Sequence, residues 1–157
     1  MLVRHDADGL AADVEALEQF NDRHVDPSEG FAIADVVEIK GDSPASIEAA
    51  LNHMPDEVFP FFELDWRGDI RGTLATIVGG DAGVKLRTGG LAAEDFPTLE
   101  ATAKFLLDAA SAEVPLKGTA GMHWPLRAPS DVVEGATAHG FLNFLTAAAV
   151  AHLRDCD

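Results

Sequence analysis

Residues Gly83–Gly90 read GVKLRTGG. Val84 and Leu86 alternate with Lys85 and Arg87, which is the period of a strand with one apolar and one cationic face. The strand runs into Thr88-Gly89-Gly90, a turn whose backbone amides can face an anion. Lys and Arg total only 11 in this chain, against 27 Asp and Glu. Two of these scarce cations share a strand face beside a glycine pair, and that fact directs the reading of the rest.

Working outward toward the N-terminus, Val58 to Leu64 forms a second predicted strand, with Phe59, Phe61 and Glu63 on one face. Pro60 donates no hydrogen bond, so pairing is expected to begin after it. A helix from Asp69 to Val78 follows, weakened by Gly72. Before these lies a strand at Val36 to Lys40, with Val37 and Ile39 opposite Glu38 and Lys40. Ser43 as cap and Pro44 at the first helical position then start a helix that buries Ile47, Ala50, Leu51 and Met54 and stops at Pro55. Residues 1–30 read as a lead-in: a strand stub at Leu2-Val3, then a helix from Asp8 with Leu10, Val14 and Leu17 on one face, its end marked by Asn21-Asp22 and then by Asp26-Pro27 and Gly30.

On the C-terminal side, Asp95 is the expected cap of a helix with Pro97 in its first turn and Leu99, Phe105, Leu106 and Ala109 inward. Val114 to Ala120 is the fourth strand, with Lys117 and Thr119 on one face. An irregular run then leads to a last helix, from His139 to Leu153, apolar almost all round and therefore buried or covered by a partner.

Strict alternation of strand and helix implies a parallel sheet with right-handed crossovers. The chain is thus expected to be a single α/β domain, 1–157, with four consecutive βα units in 31–157. The inner strands of an open doubly wound sheet are apolar on both faces. These strands instead carry Glu38, Lys40, Glu63, Lys85, Arg87 and Lys117 on one face near their C-terminal ends. Such a face suits the lumen of a TIM-like (β/α)8 barrel, whose chemistry sits at the C-terminal mouth. Four units make half a barrel, to be completed by dimerisation or by more chain; the alternative is an open parallel sheet with helices on both faces.

Composition narrows the partners. The formal charge is −16 and the acids run the length of the chain, so a nucleic-acid surface is excluded. The excess of acid with only four lysines resembles proteins of salt-loving organisms, in which dense salt screens surface repulsion. The single cysteine, Cys156, excludes an internal disulfide framework and fits a reducing compartment. The opening MLVRHDADGL has no apolar run of the signal type. The longest apolar region, Phe141 to Leu153, falls short of the ~20 residues that span a bilayer. A cytoplasmic protein with no membrane partner is expected.

Three motifs, KLRTGG at 85–90, KGTAGMH at 117–123 and HGFLN at 139–143, together resemble the C-terminal half of a bacterial family of barrel-like proteins with no established activity. The likeness covers roughly residues 31 to 154. It implies a barrel-type fold and leaves the reaction open. Trp124 departs from the pattern, standing where a second histidine is expected.

The candidate site follows from these faces. Lys85, Arg87, Thr88, Gly89, Gly90, Thr119, His139 and Asn143 are expected to hold a small anionic molecule, with Arg87 forking onto its carboxylate or phosphate. Lys117 is the candidate nucleophile toward a carbonyl, by analogy with lysine aldolases on barrel folds. Glu63 and His123 are the candidate proton-transfer groups. The competing reading makes the charges a structural ion network. Glu63, His123 and His139 show no short-range ligand spacing such as HxxxH, and no metal or other cofactor is expected. Trp66 and Trp124 are read as packing residues. No GxSxG, Walker A or CxxC motif is present. The expected activity is that of a lyase or isomerase on a small anionic carbonyl compound; the alternative is a non-catalytic half-barrel that binds a partner through its last helix and open sheet edges.

Overall fold

The computed structural model describes residues 3, 7–28 and 30–153. Helix α1 (Ala7–His24) precedes four βα units: β1 (Val36–Lys40) and α2 (Pro44–Leu51), β2 (Phe59–Glu63) and α3 (Arg71–Ile77), β3 (Gly83–Arg87) and α4 (Leu99–Ser111), β4 (Leu116–Thr119) and α5 (Phe141–Leu153). Between β4 and α5, the run expected to be irregular holds a two-residue antiparallel pair, β5 (Ala128–Pro129) with β6 (Thr137–Ala138).

The four main strands pair in parallel in the order β1-β2-β3-β4. Sequential order with right-handed crossovers sends every connecting helix to the same face. The core agrees. Val37, Ile39, Phe62, Val84 and Leu86 point to one side and pack with Ile47, Leu74, Ile77, Phe105, Leu106 and Phe144 from the helices. The open-sheet alternative, with helices on both faces, therefore does not describe this chain. The opposite face carries Glu38, Lys40, Phe61, Glu63, Lys85, Arg87, Lys117 and Thr119 in register. Four strands do not close, and the described residues form an open parallel sheet rather than a barrel.

Pro60 sits inside β2, paired with Val37. The Phe59 amide bonds to Asp35 on the β1 side, so by alternation the Pro60 nitrogen faces β3. There the ladder begins only at Phe61–Gly83. Pairing thus starts before Pro60 on one side and after it on the other. Val3 donates its amide to the Glu38 carbonyl at 2.9 Å, so the second half of the expected stub lies along β1; Leu2, like His5 and Cys156, lies outside the described residues.

Some boundaries move for physical reasons. Helix α1 ends at His24, between the Asn21-Asp22 and Asp26-Pro27 signals, and the Asn21 side chain bonds both ways with the Ala34 backbone. Helix α4 is capped by Thr98, whose hydroxyl accepts from the Ala101 amide, not by Asp95. The Asp95 carboxylate is taken by the amides of Leu91 and Ala92. Leu99, expected inward, is exposed in the first turn. Helix α5 starts at Phe141 because His139 is engaged elsewhere, and it buries only Phe144 and Ala151 fully. No helix among the described residues is long and apolar enough to cross a membrane.

Candidate functional site

Four charged side chains meet on the helix-free face. Lys85 Nζ lies 2.6 Å from Glu38 Oε2 and 2.7 Å from Glu63 Oε2. Lys117 Nζ lies 2.5 Å from Glu38 Oε1. The chain Glu63–Lys85–Glu38–Lys117 thus draws one residue from each strand. Strands β1 and β4 are three gaps apart, roughly 14 Å along a flat sheet. Side chains stand nearly perpendicular to a sheet, so a direct Glu38–Lys117 contact makes this face concave, as a barrel wall is.

Burial grades along the chain of charges. Lys85 is only 4% exposed, whereas Glu38 and Glu63 are about one-fifth exposed and Lys117 is 32% exposed. Burial works against the Lys85 ammonium, but hydrogen bonds and charge from Glu38 and Glu63 outweigh it and hold its pKa above the ordinary lysine value. Burial likewise opposes the Glu38 carboxylate, yet the hydrogen bonds from Lys117 and Lys85 hold its pKa below the ordinary glutamate value. Lys85 is therefore a fixed cation. Lys117 stands at the accessible end, with its ammonium also 5.2 Å from the Phe61 ring centroid.

One residue pair farther toward the strand C-termini, Arg87 faces Thr119 in register. Its Nε donates to the Gly89 carbonyl at 3.0 Å, and no carboxylate partner is assigned to its guanidinium among the described residues. Arg87 lines a cleft of about 190 Å³ with Lys40, Asp42, Glu63, Leu64, Asp65, Trp66, Arg67 and Asp95. Arg67 is not a free cation there, since it pairs with Asp65 and Asp95 and lies over the Trp66 ring.

The glycine pair is placed by packing. A Cβ on Gly90 would sit 2.3 Å from Asp95 Oδ2, and one on Gly89 would sit 2.9 Å from the Gly121 Cα. The turn after β3 is thus pressed between the Asp95 carboxylate and the turn after β4. Among the described residues, no acceptor is assigned to the Gly89 and Gly90 amides. Thr88 is fully buried: its amide bonds to the Thr119 carbonyl and its hydroxyl donates to the Ala120 carbonyl at 2.5 Å. Ala120, which accepts that bond, sits at φ +65°, a left-handed conformation costly for a residue with a Cβ.

The structure brings together Glu63, Lys85 and Lys117, with Arg87, Thr119 and the glycine turn just above them. The remaining predicted site residues lie in other contacts. His139 is buried, with Nε2 2.8 Å from the Pro97 carbonyl, which fixes its proton there, and 3.1 Å from the Thr102 hydroxyl. Asn143 accepts from the Arg127 amide through Oδ1. His123 is half exposed, 3.6 Å from Asp131. Among the described residues, no cluster of three or more His, Cys, Asp or Glu side chains could hold a metal ion. Glu38 lies outside the set of site residues expected from the sequence, yet it is the hub that joins both lysines. Alternation put it on the charged face beside Glu63, but not in reach of Lys117.

Fold and site define a class: a singly wound parallel α/β chain with an ion network on its concave face. In comparisons with known proteins, no family model matches the chain, and no curated protein or solved structure matches it.

Proposed function

We propose that this chain is an enzyme of barrel ancestry, a lyase or isomerase, acting on a small anionic carbonyl compound at the C-terminal end of the sheet. The observation that carries the reading is the Lys117–Glu38 contact: an accessible ammonium hydrogen-bonded to a carboxylate that a second, buried lysine keeps ionised. Glu38 orients the Lys117 amine, whose proton passes to solvent. The freed amine attacks the substrate carbonyl carbon, and return of one proton with loss of water leaves an iminium that withdraws electrons from the adjacent carbon–carbon or carbon–hydrogen bond. Glu63 supplies the second carboxylate for proton movement. Arg87, with the Gly89 and Gly90 amides, takes the substrate's carboxylate or phosphate, two residues beyond the network. The resemblance of the three motifs to a barrel-like bacterial family supports the barrel ancestry and leaves the reaction open. The acidic surface and the lone cysteine suit a cytoplasm of high salt.

Borohydride reduction in the presence of short 2-oxo acids and sugar phosphates, followed by peptide mass analysis, tests the reading. An adduct on Lys117 that is lost in Lys117→Arg supports it. Reduction that labels no lysine with any compound of either class retires the covalent mechanism.

A further inference from the structure

We propose that two copies of this chain associate through the outer face of α5. Leu142, Leu145, Ala149 and Leu153 recur at helical spacing and form one exposed stripe, with Leu145 61% and Leu153 83% exposed. The buried residues of the helix, Phe144 and Ala151, lie on the opposite side. Solitary exposed leucines are ordinary, but a continuous apolar stripe on a lone helix marks a contact surface.

Charge selects the occupant. The chain carries −16, yet Phe141–Leu153 contains no Asp, Glu, Lys or Arg. Two like copies repel wherever their carboxylates face one another, and this helix is a surface without carboxylates of its own on which they can meet. A basic partner, in contrast, gains nothing from a charge-free stripe on an otherwise acidic protein.

Shape points the same way. Beside the stripe lies a groove of about 300 Å³ lined by Ala110, Val114, Pro115, Leu116 and Ala148, with Glu113 and His152 also at its walls. A two-fold interface must be self-complementary, each copy presenting both projection and recess. Here leucines and groove stand side by side on one helix, so a leucine from each copy can enter the groove of the other. The contact lies on the helical side of β4, so it leaves the concave face open and does not rest on the reaction proposed above.

Sedimentation equilibrium of the full chain at about 0.1 M and about 1 M NaCl tests this. The expected result is a dimer that tightens with salt as the repulsion is screened. Leu145→Glu and Leu153→Glu are each expected to weaken it by roughly 30-fold or more, with far-UV circular dichroism unchanged. Val132→Glu, on an exposed residue of the segment between β5 and β6, is expected to leave it intact. A chain monomeric at roughly 100 µM in both salts, or a dimer that survives both leucine substitutions, overturns the proposal.

Discussion

Replacing Lys85 by methionine removes the cation that joins Glu38 to Glu63. At an effective dielectric of about 20, each of its two contacts, at 2.6 and 2.7 Å, carries a gross attraction of about 6 kcal/mol. Desolvating the ions takes back several kcal/mol apiece, so the intact network is worth little over well-packed apolar residues. The single variant is different, because Glu38 keeps Lys117 while Glu63 keeps no assigned cation among the described residues. Breaking a buried pair from one side costs about 3–5 kcal/mol. For a chain of this size that lowers Tm by roughly 6–20 °C. Urea titration followed by tryptophan fluorescence, at fixed protein concentration, measures it. The double variant Lys85→Met with Glu63→Leu should recover most of it. A single-variant loss below about 1 kcal/mol, or a double variant no more stable than the single, would refute the reasoning.

Two further outcomes follow from the same geometry. In the wild type, the Glu38 pKa is lowered, so its contribution is full above the unfolded glutamate value and is lost as pH falls through the folded one; Lys85 is raised, so its contribution is full below the unfolded lysine value and is lost as pH rises through the folded one. Stability contributed by the pair should therefore be flat between those ranges, and a slope near neutral pH that vanishes in Glu38→Gln would contradict it. Gly118→Ala places a Cβ 2.7 Å from the Phe144 ring and 2.9 Å from the Met122 methyl, which pushes α5 away from β4; a loss of about 1–3 kcal/mol is expected in the same titration, and a neutral result would mean the contact yields freely.

The strands were legible because their alternation is strict and bounded. Val36–Lys40 and Gly83–Arg87 match the pattern of apolar and charged residues, and Ser43-Pro44 announces α2 with a capping box closed by Ser46. Parallel winding followed from the order of elements. What the pattern could not give was competition among polar side chains. Asp95 and Thr98 both suit a helix start, and only the fold shows that Asp95 is spent on the Leu91 and Ala92 amides. His139 looks like a site residue in sequence because nothing local reveals the Pro97 carbonyl beside it, 42 positions away. The convergence of Glu63, Lys85 and Lys117 was readable from strand faces alone. The role of Glu38 was not, because contact between the first strand and the fourth depends on curvature, which alternation does not encode.

The central claim is that the concave charged face receives a small anion. Two-dimensional ¹H–¹⁵N spectra of the wild-type chain, titrated with inorganic phosphate and with a short 2-oxo acid, test it most directly. The account predicts saturable shifts at the Arg87 side-chain Nε and the Gly89 and Gly90 amides, with the shifts of both amides abolished in Arg87→Met. Shifts confined to other surfaces, or none for either compound, would contradict it.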